Sequence, residues 1–168
     1  CANAVVDFAH TPDALQNVLA TLRKQTKGKL AVVFGCGGNR DASKRPQMTA
    51  IAQSIADRVI LTADNPRKEN LDNIIADMQS NLDAASKELV VVELDRSKAI
   101  EIALAELNEQ DLLLIAGKGH EAYQDIDGIK HPYSDEAVLL SLGYQDVAQP
   151  IESLQTDSIK IDSIKEVL

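Results

Sequence analysis

Five short apolar runs constrain this chain more than any other feature. Ala4 to Phe8, Leu30 to Phe34, Val59 to Leu61, Val90 to Leu94 and Leu112 to Ala116 are rich in Val, Ile and Leu and do not alternate with polar residues. Strands of that character are usually buried on both faces, as in a parallel sheet covered by helices. The intervening segments supply the helices. Apolar residues recur at helical spacing in four sets: Leu15, Val18, Leu19, Leu22; Met48, Ile51, Ala52, Ile55; Leu71, Ile74, Ile75, Met78; and Ile100, Ala103, Leu104, Leu107. Each set makes a one-sided apolar stripe. Thr11-Pro12 reads as an N-cap followed by Pro at the first helical position. Ser134 before Asp135 and Glu136 marks another start, with acids at the positive end of the helix dipole.

Strand–helix–strand repetition predicts right-handed crossovers and an α/β, Rossmann-like, doubly wound and mostly parallel sheet with flanking helices. After Gly119 the pattern changes. Asp127-Gly128, flanked by Tyr123-Gln124 and Ile129 to His131, predicts a C-terminal hairpin. One domain is expected over residues 1–148. Residues 149–168 form a polar C-terminal tail with scattered Ile, readable as a short helix or a loose segment.

Composition narrows the partners. With aromatics at 3% and no Trp in 168 residues, the core must be aliphatic. A net charge of −9 argues against nucleic acid, because phosphate binding wants a basic face. No apolar run approaches the roughly 20 residues that span a bilayer, and no signal peptide opens the chain, so a cytoplasmic protein without membrane contact is expected. Cys1 and Cys36 show no CxxC or zinc-like spacing and read as reduced thiols. Cys1 directly precedes a strand with no initiator Met, as in a piece of a longer chain.

In open α/β sheets ligands bind beyond the C-terminal ends of the strands. Those segments are 7–11, 35–45, 62–69 and 117–121, and they hold His10, Arg40, Lys44, Arg45, Asn65, Arg67, Lys68, Lys118, His120 and Glu121. Six of the 17 basic residues therefore fall on one edge, which points to an anion site, although each alone reads as solvated loop charge. Gly35 to Arg40 resembles a dinucleotide fingerprint but has Arg40 where the third glycine is needed. A plain tight turn and a loop admitting a phosphate or carboxylate fit it equally. Gly117 to Glu121 is no P-loop, and the sequence has no Walker A motif, so a complete ATPase is not expected. In Asp64-Asn65-Pro66-Arg67, Pro66 biases Asn65 towards an extended conformation, and an Arg fork can bind a carboxylate. Taken alone the segment reads better as a turn in which Asp64 or Asn65 caps the helix starting near Leu71. His131 reads as a hydrogen-bonded structural residue. No histidine pair has metal-site spacing, and Cys36 has no evident His partner.

Five motifs in order carry a family resemblance. Val6 to Asp13 (VDFAHTPD) resembles the D-[YF]-A-H-T-P-D element that opens the third domain of Mur ligases. Phe34 to Asp41 with Lys44-Arg45-Pro46 is similar to that domain's G-C-G-G-[DN]-R-D…K-R-P segment. Asp64-Asn65-Pro66-Arg67 is similar to the D-N-P-R of its diaminopimelate-adding members. Ala116 to Glu121 resembles A-G-K-G-H-E, and Tyr133-Ser134-Asp135 the closing [FY]-S-D. The resemblance runs from about Val5 to Leu142, with Phe8 in place of the commoner Tyr; the tail extends past the family's usual end.

This resemblance implies the third domain of an ATP-dependent ligase acting on a UDP-MurNAc-dipeptide in peptidoglycan biosynthesis. There ATP phosphorylates the D-glutamate γ-carboxylate, and the amine of meso-diaminopimelate displaces the phosphate. By position, Arg40, Asn65, Arg67, Gly117 and Glu121 would hold meso-diaminopimelate, with Asp64 and Pro66 shaping the loop. Asp7 would approach the ATP ribose and His10 the phosphates. The P-loop and the Mg2+ ligands would lie in other domains, and a monomer is expected. Alternatives are a lysine-adding member of the family and a non-catalytic binding module. A dehydrogenase ranks below both.

Overall fold

The computed structural model of the protein describes residues 2–144. The predicted tail, and the domain boundary drawn at 148, fall outside these residues. The strands are β1 (Asn3–Asp7), β2 (Leu30–Phe34), β3 (Arg58–Leu61), β4 (Val90–Val92) and β5 (Leu112–Ala116). They form a five-stranded sheet of order β1-β5-β2-β3-β4, parallel throughout. Helices α1 (Pro12–Gln25), α2 (Lys44–Ile55) and α3 (Leu71–Gln79) cover one face, packing Leu15, Leu19, Met48, Ala52, Ile74 and Met78 on Val32, Phe34, Leu61 and Leu114. On the other face, α5 (Arg96–Ala105) and α6 (Asp135–Ser141) set Ala99, Ile100, Ala103 and Leu139 on Val6, Val33, Ile60 and Ile115. Burial on both faces is why the strands show no polar alternation. The doubly wound, Rossmann-like sheet matches expectation.

Local signals account for most element boundaries. Thr11 caps α1 by accepting from Ala14 N, with Pro12 at the first helical position. Ser134 caps α6 by accepting from Ala137 N. The hairpin β6 (Tyr123–Ile126) and β7 (Ile129–Pro132) turns through Asp127 and Gly128 at φ 56° and 80°. Two positive φ values in a two-residue turn are what Asp-Gly favours.

Three expectations need correction. The helix at Leu71 is capped by Asn70, which accepts from Asp72 N, and not by Asp64 or Asn65. Strand β4 ends at Val92, leaving Leu94 partly exposed, and α5 ends before Leu107. A short helix α4 (Ala84–Leu89), capped by Asp83, was not expected because it buries none of its residues. Asp135 and Glu136 do stand in the first turn of α6, and Asp135 is in addition the fully buried partner of Arg96. Among the described residues no helix is long and apolar enough to cross a membrane.

Candidate active-site cleft

The register of the sheet sets up the site. Asp7 and Phe34 both pair with Ala116, and Phe34 also pairs with Leu61, so four parallel strands end on one line. The loops that follow meet in a cleft of about 510 Å3 lined by His10, Gly37, Arg40, Lys44, Asp64, Asn65, Arg67, Gly117 and Glu121, among others. That is within the usual size of a small-molecule site. A larger hollow of about 620 Å3 lies behind the Asp64–Arg67 loop, lined by Pro66, Lys68, Leu71, Leu94, Ile126 and Tyr133. We place the site in the smaller cleft because that is where the strand-end loops and their charged groups converge.

The Gly-rich loop is shaped by its own protein neighbours. A Cβ on Gly38 would lie 1.8 Å from Pro66 O, so only glycine allows the two loops to touch. Gly38 N donates to Asn65 O at 2.8 Å, and Arg67 Nη1 donates to Gly38 O at 2.9 Å. Of the two readings this loop allowed, tight packing is therefore the one realised at Gly38. Arg67 itself has φ 53°, a costly conformation for a residue with a Cβ. The hairpin holds it there: Arg67 N donates to Asp125 O at 2.8 Å, and Asp127 N donates to Arg67 O at 2.6 Å.

The six-cation edge is corrected by the geometry. Arg45 is buried and donates to both Glu69 oxygens at 2.6 and 2.7 Å, to Asp77 at 2.8 Å and to Gly37 O at 3.2 Å. Lys118 is also buried, and Lys68 faces the hollow. Arg40, Lys44 and Arg67 remain as cleft cations without an internal ion pair among the described residues. The guanidinium of Arg67 makes only the Gly38 bond there, leaving the rest of its fork for a ligand.

The opposite charge comes from Glu121 and Asp64. Glu121 accepts from Asn65 Nδ2 at 3.0 and 3.1 Å. Asp64 is buried, and among the described residues its Oδ1 has no hydrogen-bond partner although Lys118 Nζ lies 3.2 Å away. The distance permits ion pairing but the angle does not make a hydrogen bond. Gly117, at φ 109°, donates its N–H to Asp7 O at 3.0 Å and opens its own face to the cleft.

Two expected residues sit differently. Asp7 Oδ1 accepts from Ala9 N at 2.7 Å, and the residue does not line the cleft. Pro66 lines the hollow instead. His10 does line the cleft, exposed, with its ring edge-on to Phe8 at 4.7 Å. His131 is exposed on β7 rather than structural. Burial, reinforced by the charge of Asp64, pushes the Cys36 thiol up to about 12, so it is no nucleophile at neutral pH. Guanidinium forks and carboxylates lining one cleft suit a zwitterion with carboxylate and ammonium groups. Lys118 was read as one of the edge cations, and its burial was missed, although its place two residues after an all-apolar strand could have signalled it.

The profile described as "Mur ligase, glutamate ligase domain" matches residues 2–119. The chain belongs to the Mur ligase family. Among the relatives of this Mur ligase domain is a Chlorobaculum tepidum protein named UDP-N-acetylmuramoyl-L-alanyl-D-glutamate--2,6-diaminopimelate ligase. It is 55% identical over 138 residues, 81% of this chain and 27% of that protein. An Aquifex aeolicus protein of the same name is 50% identical over 135 residues, covering 80% of this chain and 28% of the relative. A solved structure of a ligase with that name superposes with TM-score 0.77 at 45% identity, covering 82% of this chain and 28% of the other. The Mur ligase domain thus spans about a quarter of the length of the curated relatives it matches.

Proposed function

We infer that residues 1–148 are the amino-acid-delivering domain of an ATP-dependent ligase that joins meso-diaminopimelate to UDP-MurNAc-L-Ala-D-Glu. The observation that carries this is the cleft's charge layout, in which the half-buried Arg67 fork lines the same cleft as Asp64 and Glu121. Meso-diaminopimelate has two carboxylates and two ammonium groups. Arg67 and Arg40 would take carboxylates, because a guanidinium matches a carboxylate bidentately. Glu121, with the small exposed part of the Asp64 side chain, would take an ammonium. Asn65 and the Gly117 backbone would fix the ligand's position. L-lysine lacks the distal carboxylate and gives Arg67 nothing to bind, which favours the diaminopimelate reading over the lysine one.

ATP would supply the activation, turning the D-glutamate γ-carboxylate into an acyl phosphate. This domain's share is to present the free amine and exclude water as the domains close. The amine nitrogen forms the C–N bond, the C–O bond to phosphate breaks, and the nitrogen gives up a proton. His10, at the cleft mouth, suits the phosphate region. Asp7 reaches the ribose only if its carboxylate leaves the β1–α1 turn. Among the described residues no group of three or more His, Cys, Asp or Glu could hold a metal ion. The whole ligase would act in the cytoplasm as a monomer.

The test is Arg67→Ala in the full-length ligase, with kcat/KM measured for meso-diaminopimelate and L-lysine. Loss of a hydrogen-bonded charge partner costs about 2–5 kcal/mol, and a half-buried fork belongs near the lower end. A loss of about 2–3 kcal/mol is roughly a 30- to 150-fold drop on meso-diaminopimelate, with little change on lysine. Equal losses on both amino acids would overturn the assignment.

A further inference from the structure

Lys118 is a fully buried cation that the proposed function leaves without a task. Its Nζ donates to Tyr123 O at 2.8 Å, Asn65 Oδ1 at 3.1 Å and Glu121 Oε2 at 3.4 Å. An ammonium has three N–H donors, so none is left over. Asp64 Oδ1, at 3.2 Å, feels the charge but receives no hydrogen bond. With its donors used and its side chain without exposure, Lys118 cannot reach a phosphate in the cleft.

The same cation fixes the sense of the Asn65 amide. Asn65 Oδ1 accepts from Lys118 Nζ and also from Asp125 N at 2.9 Å. A flipped amide would turn its NH2 against an ammonium and a backbone N–H. The unflipped one directs Nδ2 to both oxygens of Glu121. Three residues of the cleft therefore take their geometry or charge balance from one side chain beneath them.

We propose that Lys118 is a positioning residue for the ammonium end of the amino-acid substrate. With the Arg67 fork assigned to a substrate carboxylate, two carboxylates, Asp64 and Glu121, stand against one buried cation, a local surplus of a single negative charge. One incoming ammonium neutralises that surplus, meeting Glu121 and the small exposed part of the Asp64 side chain. Without Lys118 the surplus would be two like charges in a poorly solvated site. This inference rests on reading the cleft as an amino-acid site.

The experiment compares wild type, Lys118→Met, Asp64→Asn and the double variant in the full-length ligase, recording kcat, KM for meso-diaminopimelate, KM for ATP and melting temperature. Lys118→Met keeps the stem and removes the charge. It should raise KM for meso-diaminopimelate about tenfold or more, the scale of one charge-assisted hydrogen bond, and leave KM for ATP within about twofold. Asp64→Asn brings the surplus to zero and should also raise KM for the amino acid. The double variant restores a surplus of one and should bind the amino acid better than Asp64→Asn alone. A merely structural Lys118 would make the double variant worse, and that result overturns the proposal. So does an unchanged amino-acid KM in Lys118→Met, or an equal rise in both KM values. If Lys118→Met does not fold, Asp64→Asn against the double variant decides. A wild type that uses another amino acid refutes the named substrate alone, and the same comparison is then made with that amino acid. A wild type that uses no amino acid refutes both.

Discussion

Replacing Asp135 with Asn should destabilise the domain by about 3–5 kcal/mol, the cost of leaving one member of a buried ion pair uncompensated. The structure places this pair at the upper end of what such contacts are worth. Neither side chain is exposed, and both bonds, Nε to Oδ1 and Nη2 to Oδ2, are 2.8 Å. Tyr133 Oη adds a third donor to Asp135 at 3.0 Å. Asn would keep the shape and lose the charge, and its NH2 would face the guanidinium. Arg96 could not leave, because it also donates to Ala63 O at 3.2 Å and Ala116 O at 2.9 Å. Small domains have about 5–15 kcal/mol of stability, so the loss would be visible without refinement of method. Urea unfolding of the 168-residue chain, followed by far-UV circular dichroism, should show a lower midpoint at unchanged slope. A loss below about 1 kcal/mol would put the pair in the class of exposed salt bridges and refute the reasoning. Ala63 and Ala116 immediately precede the Asp64 and Gly117 loops, so the variant should also loosen the cleft.

Two further outcomes follow from the same geometry. Arg45, joined by the Asn39 N–H, holds the Glu69 carboxyl down from 4.5 to about 2. A depressed acid stabilises the fold above its unfolded value and loses that contribution as pH falls through this window. Wild type should therefore exceed Glu69→Gln by about 1–2 kcal/mol at pH 7, after allowing for partial exposure, with the gap closing between about pH 4.5 and 2; a gap independent of pH would refute this. Gly38→Ala drives a Cβ to 1.8 Å from Pro66 O. It should cost about 1–3 kcal/mol by overpacking and reduce meso-diaminopimelate turnover by shifting Arg67, and an unchanged urea midpoint would count against the loop contact.

What could be read from the sequence divides along a physical line. Periodicity is a local property, so the sheet strands, the apolar stripes of α1 to α3 and α5, and the Asp127-Gly128 turn were legible. Helix α4 was not, because it presents no apolar stripe to the core. The cleft's position was legible too, since parallel strands end together and their loops must meet. Partnerships were not. Arg45 with Glu69, Lys118 with Asp64 and Arg96 with Asp135 join residues far apart in the chain. Composition counted Arg45 and Lys118 as free cations because a one-dimensional pattern shows a charge but not what neutralises it. The cap at Asn70 was misplaced for a related reason: several residues before Leu71 had the chemistry to cap, and only the path of the loop chooses among them.

The strand order also says something about time. Among the described residues β1 pairs with β5 alone, Asn3 lying opposite Leu112, while β2, β3 and β4 can add to one another as they are synthesised. The first strand of the sheet to be made must therefore wait for the last before its backbone is satisfied. Until β5 emerges, the facing edges of β1 and β2 stay open, and open apolar edges are what chaperones shield and aggregates exploit. The loops after β1, β2 and β5 are also three of those that build the cleft, so a ligand pocket exists only once this closing event is over. A nascent chain of this kind gains its binding surface in a single late step, and the slow, long-range pairing that delays it is the same pairing that aligns the strand ends.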